Sequence, residues 1–364
     1  MTKLVGYFVL SAAVLSVAFS AKKSTDDDTS NPAYKDAPVS TAADPSGRPA
    51  KPAGFVHRGV LVNRAQLDEI KKRVAAGTEP QKTAFEALKA HKLGALDYTP
   101  HPRATVECGS FSRPDLGCKD EQADSEAAYA QALLWYITGN SAYAENTVKI
   151  TNAWSGTLTG GHTNSNGHVQ ASWTGDVWPR AAEIIRYSYK GWTDDDIAKF
   201  QNMLTTQCLP SLIHGTCENG NKELTISEAI INIDVFNDNR AAFDFGIKMW
   251  RGRAPATIYL KTDVQKPVEP VGCGPAIWGN KGFTPEFVDG LLQESASDSQ
   301  HANMAFAGMV DAAETARQQG IDLYAEQGKR IVAAMEFQAQ YLPPNGAKPP
   351  ENLEFNLHPT RKIA

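Results

Sequence analysis

From residue 54 onward, apolar side chains recur every three or four positions, in runs divided by Gly, Asn and Asp. That spacing predicts amphipathic helices, with little that alternates at the period of a strand. Asn63 is placed to cap a helix carrying Leu67, Ile70 and Val74 on one face, with Gly77 ending it. Thr78 is expected to cap the next helix, with Pro80 in its first turn. DSEAAYAQALLWYITG and SAYAENTVKITNAWSG read as two helices about a Gly-Asn turn. VWPRAAEIIRYSYKG pairs with TDDDIAKFQNMLTTQCL, where Thr193 caps and three aspartates favour the positive helix end. ELTISEAIINIDVF sets Ile226, Ile230 and Ile233 on one face, and the following helix sets Phe243, Ile247 and Trp250. DSQHANMAFAGMVDAAETARQQG and DLYAEQGKRIVAAMEFQAQYL form the closing pair.

Repeated helical hairpins give an open solenoid or a closed ring. No fixed-length repeat is visible, and the linking stretches 108–118, 157–173 and 261–285 are long and rich in Gly, Asn and aromatics. Long ordered loops on a helical scaffold usually build a cleft wall. The fold expected is therefore all-α, an incomplete (α/α) toroid of antiparallel hairpins with a loop-lined groove.

The ends of the chain read differently. Lys3, the apolar run LVGYFVLSAAVLSVAFS and the small residues Ala18 and Ser20 predict a signal peptide over residues 1–20. Residues 21–52 hold five prolines and balanced charge, with only Tyr34 and Val39 apolar beyond alanine, so a disordered linker is expected. The toroid domain then spans residues 53–364. With 36 Lys+Arg against 41 Asp+Glu the chain has a net charge of −5, so no global basic field exists to hold nucleic acid. After cleavage of the leader no stable membrane association is expected. Four of the five cysteines lie close in sequence, Cys108 with Cys118 and Cys208 with Cys217, and each pair reads as a disulfide closing a polar loop. A zinc site is the sharper alternative, but neither pair has CxxC spacing. Cys273 is left as a buried thiol.

Three segments mix polar and aromatic residues beyond what a core needs. GGHTNSNGHVQASWTGDVWPR carries His162, His168, Gln170, Trp173 and Trp178; CENGNKELTISEA places Asn219, Gly220 and Asn221 before a helix; LLQESASDSQHANMAFAG puts Glu294, Asp298 and His301 at helical spacing. Each also has a structural reading, as core tryptophans, a capped turn or a structural histidine. No GxSxG, HExxH, P-loop or dinucleotide fingerprint occurs.

Taken together, ECGSFSRPD (107–115), residues 131–158, QASWTGDVWPRAAEIIRY (170–187), NGNKEL (219–224), AETARQQGIDLY (313–324) and HPT (358–360) resemble the alginate-lyase-type domain of secreted polysaccharide lyases. The resemblance implies β-elimination on a uronate polymer such as alginate or glucuronan, with no metal or cofactor required. One group neutralises the C6 carboxylate, a base removes H5, and an acid protonates O4. Carried over by position, Asn221 matches the motif asparagine, Gln170 a groove glutamine, and His301 the histidine ending an E-x-x-R-D-x-x-H pattern. His162, His168, Trp173, Lys222, Arg251 and Arg253 are the expected substrate contacts. Lys222 stands where some relatives have His or Trp, and Ser297 where the pattern has arginine. The family pattern after HPT runs into a segment with Tyr and His, so the chain reads as C-terminally incomplete at Ala364; otherwise the acid falls to Tyr187, Tyr189 or Tyr259. A non-catalytic polysaccharide-binding relative and an inactive truncated lyase remain alternatives. A glycoside hydrolase would need carboxylates across the groove, whereas Glu294 and Asp298 share one expected helix.

Overall fold

The computed structural model describes residues 54–263, 267–273, 278, 286–295 and 299–341. Their helices are α1 (Arg64–Ala75), α2 (Gln81–Ala90), α3 (Cys118–Thr138), α4 (Ser141–Ser155), α5 (Gly167–Gly175) and α6 (Val177–Arg186). α7 (Asp194–Met203), α8 (Gly220–Phe236), α9 (Arg240–Thr257), α10 (Ser299–Gln318) and α11 (Leu323–Ala339) follow. The expected signal peptide, linker and C-terminal segment lie outside the described residues.

Local chemistry accounts for the helix ends. Asn63 and Gln66 form a reciprocal capping box at α1. Gly139 ends α3 in the left-handed conformation at φ 73°, and Asn140 at once caps α4 through Ala142 N–H. Thr193 accepts from Asp196 N–H at α7, Asn239 from Ala242 N–H at α9, and Asp322 from Ala325 N–H at α11. Thr78 does not cap α2; Pro80 itself holds the N-cap position, without a side-chain bond.

The helices pair into hairpins around a ring, with α3, α6, α8 and α10 inside and α4, α7, α9 and α11 outside. This is the expected α/α toroid. α8 is its seam. Sixteen of its 17 residues are buried, all but Lys222. Ile226, Ile230, Ile233 and Phe236 join one core with Trp154, Trp178, Trp192 and Phe200, whereas Leu224, Ile231 and Val235 join a second with Phe243, Ile247, Trp250 and Met309. Truncating Trp250, fully buried here, would cost about 3–5 kcal/mol.

Buried charge crosses the ring where the inner helices meet. Arg180 of α6 pairs with Glu228 of α8 and with Asp311 of α10, at 3.2 Å. Asp176 lies 3.8 Å from the same guanidinium. At the C-terminal end of α8, His57 sits 3.0 Å from both Glu183 and Asp238 and stacks on Tyr187.

A small sheet, absent from the sequence reading, braces the opposite end. β1 (Val106–Cys108) pairs antiparallel with β2 (Asp115–Leu116) and parallel with β3 (His162–Thr163). Strands of two or three residues are too short to show a period. The 157–173 stretch is likewise not all loop, because α5 begins at Gly167. Among the described residues no helix is long and apolar enough to cross a membrane.

Candidate active site at the N-terminal end of the inner helices

The start of α8 is held by its neighbours. Gly220 N–H donates to Gln293 Oε1 at 2.7 Å. A Cβ at Gly220 would meet Thr257 Oγ1 at 2.3 Å, so only glycine allows this approach to α9. Asn219 occupies the N-cap position, yet its side chain does not cap the helix. Its Nδ2 donates instead to Glu294 Oε1 at 2.9 Å. The same oxygen accepts from His301 Nδ1 at 2.9 Å. Asn219, Glu294 and His301 therefore form one linked group from two distant parts of the chain. Glu294 sits in a turn before α10, and not on one helix with His301 as the spacing suggested. Asp298 and Ser297 lie outside the described residues.

Asn221 follows on the first turn of α8. It is buried, and its Oδ1 has no hydrogen-bond partner among the described residues. A buried acceptor without a partner costs about 1–3 kcal/mol, which makes it a candidate for a ligand contact. Next to it, Lys222 Nζ lies 2.6 Å from Glu218 Oε1, and His168 Nε2 lies 2.7 Å from Glu218 Oε2. Burial opposes ionisation of Glu218, but Lys222 and His168 outweigh it and hold the carboxyl below its ordinary range. Trp173 is half-buried on α5.

The loop carrying Glu218 is anchored from below. Glu223 Oε1 accepts from Thr216 N–H at 2.7 Å and Oγ1 at 2.6 Å, and Glu223 Oε2 accepts from Arg253 Nε at 2.7 Å. Arg253 also donates to Val271 O at 2.8 Å. Cys217 bonds to Cys273, two residues beyond Val271. The expected Cys208–Cys217 disulfide is thus corrected: Cys208 is a free, buried thiol behind α7, and Cys273 is the partner that sequence proximity concealed. Cys108–Cys118 is present and ties β1 to the start of α3.

Several expected substrate contacts are occupied elsewhere. The His162 side chain is fully buried, with Nε2 3.0 Å from Glu121 and Nδ1 3.1 Å from Gln207 O. Gln170 lies beneath the site: its Nε2 donates to Glu121 and to Cys118 O, and its Oε1 accepts from Gln122. With both ends of its amide engaged and the residue 1% exposed, Gln170 braces the site rather than lining it. Arg251 forms a two-bond pair with Glu326 on α11. Arg253 is a buried buttress, as described. His168, Lys222, Asn221 and His301 are the predicted residues gathered at one end. Glu218 was missed, although its i,i+4 spacing to Lys222 was a visible sign. Glu121, Glu223 and Gln293 act across long sequence separations and left no such sign.

Tyr187 contacts His57 beside Asp238, at the far end of α8. A helix of 17 residues puts that end about 25 Å away. Tyr189 packs on Trp135, and Tyr259 is buried against Phe287.

Comparison with known proteins agrees with the helical toroid. The alginate lyase family model matches residues 22–258 and 282–348. Among solved structures, a His-to-Ala variant of alginate lyase A1-III complexed with a tetrasaccharide superposes with a TM-score of 0.58 at 16% identity, covering 79% of this chain and 78% of that one. Alginate lyase A1-III from Sphingomonas species A1 gives 0.55 at 16% identity, over 80% and 81% of the two chains. An alginate lyase from Bacteroides ovatus gives 0.54 at 14% identity, over 79% and 84%. A search of curated protein sequences found no match. The protein is a polysaccharide lyase. It belongs to the alginate lyase family.

Proposed function

We propose that the chain is a secreted lyase cleaving a uronate polymer, of the alginate or glucuronan kind, by β-elimination. The observation that carries this reading is the buried, unpartnered Asn221 Oδ1 on the helix turn next to the Asn219–Glu294–His301 group. In this scheme Asn221 Nδ2 donates to the C6 carboxylate, Oδ1 accepts from a sugar hydroxyl, and Lys222 supplies positive charge beside them. Lowering the charge on that carboxyl makes H5 acidic. His301 takes H5, with Glu294 holding Nδ1 and fixing the ring. The electron pair from C5–H forms the C4–C5 double bond, the C4–O4 bond breaks, and the departing O4 takes a proton from solvent. The N-terminal leader pattern and the two disulfides support export to an oxidising compartment.

The test is direct. Purified protein is incubated with alginate and with glucuronan, and the unsaturated product is followed by its ultraviolet absorbance. An absorbance rise with either polymer supports the proposal. Chain shortening without it would indicate hydrolysis, and no change with either polymer would overturn the lyase reading for these substrates.

A further inference from the structure

We infer that Glu218 is an internal stand-in for a substrate carboxylate, holding His168 and Lys222 as a carboxylate-binding subsite until the polymer displaces it. This rests on the uronate-polymer reading above.

The geometry resembles carboxylate recognition more than an ordinary surface pair. The two oxygens of one carboxylate are divided between donors from different helices, Oε2 to His168 on α5 at 2.7 Å and Oε1 to Lys222 on α8 at 2.6 Å. Lys222 is the one residue of α8 that is not buried, and it directly follows Asn221. The other cations that sequence suggested for this role are committed elsewhere: His162 to Glu121, Arg253 to Glu223, and Arg251 to Glu326. Positive charge beside Asn221 therefore comes from Lys222, which Glu218 holds together with His168.

Glu218 is also built to let go. Its side chain is 41% exposed, so it gives up little burial on leaving. The backbone beneath it is pinned by Thr216 to Glu223, by Arg253 to Val271 O and by the Cys217–Cys273 disulfide. A side chain can then swing while its loop stays fixed. Exchange of one carboxylate for another keeps His168 and Lys222 paired, and the displaced Glu218, already part exposed, turns its charge to solvent. A neutral polymer has nothing with which to replace Glu218. The subsite would thereby select for a uronate over a neutral sugar.

The experiment compares the natural protein with Glu218→Gln, Lys222→Gln and the double variant. It reads direct calorimetric binding of alginate and glucuronan oligomers alongside KM and kcat. Removing the internal competitor should tighten oligomer binding and lower KM by about two- to fivefold, the size of effect expected for an exposed ion pair. Lys222→Gln should weaken binding, and the gain from Glu218→Gln should vanish in its presence. Equal or weaker binding by Glu218→Gln, or a gain that survives Lys222→Gln, would overturn the inference. A lower melting temperature without tighter binding would also overturn it, by making Glu218 a helix-end brace. Tighter oligomer binding without any unsaturated product would uphold the subsite while removing the lyase reading.

Discussion

Glu294 Oε1 and His301 Nδ1 are 2.9 Å apart, and the same oxygen also receives the Asn219 amide. The carboxylate thus joins the start of α8 to the start of α10 through a single atom. If His301 moves the proton, His301→Ala should lower kcat by about 10²- to 10⁴-fold. Glu294→Gln, which keeps the shape but weakens the grip on the ring, should cost about 10- to 100-fold. Steady-state rates with circular dichroism on each variant check this; a His301→Ala enzyme of normal turnover would return the residue to a structural role.

Asn221 and Gln170 should fail in different ways. Asn221→Ala removes a group poised for ligand and should lose oligomer binding and turnover with its melting temperature nearly unchanged. Gln170→Ala strands partners at Glu121, Gln122 and Cys118 O, and should destabilise the fold by about 1–3 kcal/mol. Thermal melts set beside KM values separate the two.

His57 makes stability depend on pH. Burial alone would lower its pKa, but Glu183 and Asp238 overcome this and raise it to about 9. The folded state therefore holds the proton more tightly than the unfolded chain, whose histidine titrates near about 6.5. The added stability is complete below that value and is lost as pH rises toward about 9. Denaturant melts from pH 6 to about 9.5 should show the decline, and His57→Gln should flatten it.

Asp234 has the opposite charge type but the same slope. It is fully buried in α8, neither carboxylate oxygen has a partner among the described residues, and burial pushes its pKa up to about 8. A raised acid pKa means that its stability contribution is largest below about 4 and is lost as pH climbs. Asp234→Asn should therefore raise the melting temperature at pH 8 and change it little at pH 4. A variant less stable at both pH values would show that the carboxylate has an undetected stabilising role.

Thiol counting tests the cysteine framework. With Cys108–Cys118 and Cys217–Cys273 bonded and Cys208 buried, the native protein should show no thiol reactive toward an aromatic disulfide reagent. The denatured, unreduced protein should show one. Cys217→Ser should release Cys273 and loosen the Glu218 loop, whereas Cys208→Ala should leave both disulfides in place.

The helical ring was legible because its signals are local. Ile226, Ile230 and Ile233 declare one face, Phe243, Ile247 and Trp250 another, and Asn63, Asn140 and Thr193 mark helix starts within four residues of the groups they serve. The site was legible only in part. Motif position gave Asn221 and His301, and the polar segments around them gave His168 and Lys222. The carboxylates that organise them, Glu121, Glu218, Glu223 and Glu294, depend on which helices become neighbours. The same holds for Cys273, 56 residues from Cys217, where the nearer Cys208 looked the better partner. His162 and Arg253 misled for a related reason: a charged side chain in a polar segment reads as solvent-facing until its buried counter-ion is known.

α8 has almost no face of its own to offer water. A helix enclosed on all sides cannot shed a strand of solvent-exposed amides by fraying sideways, so its hydrogen exchange should report the opening of the whole ring. The outer helices can slip or melt at their exposed edges while α8 stays protected. Asn221 and Lys222 are thus mounted on a helix enclosed by its neighbours, and Glu218 on the loop beside it.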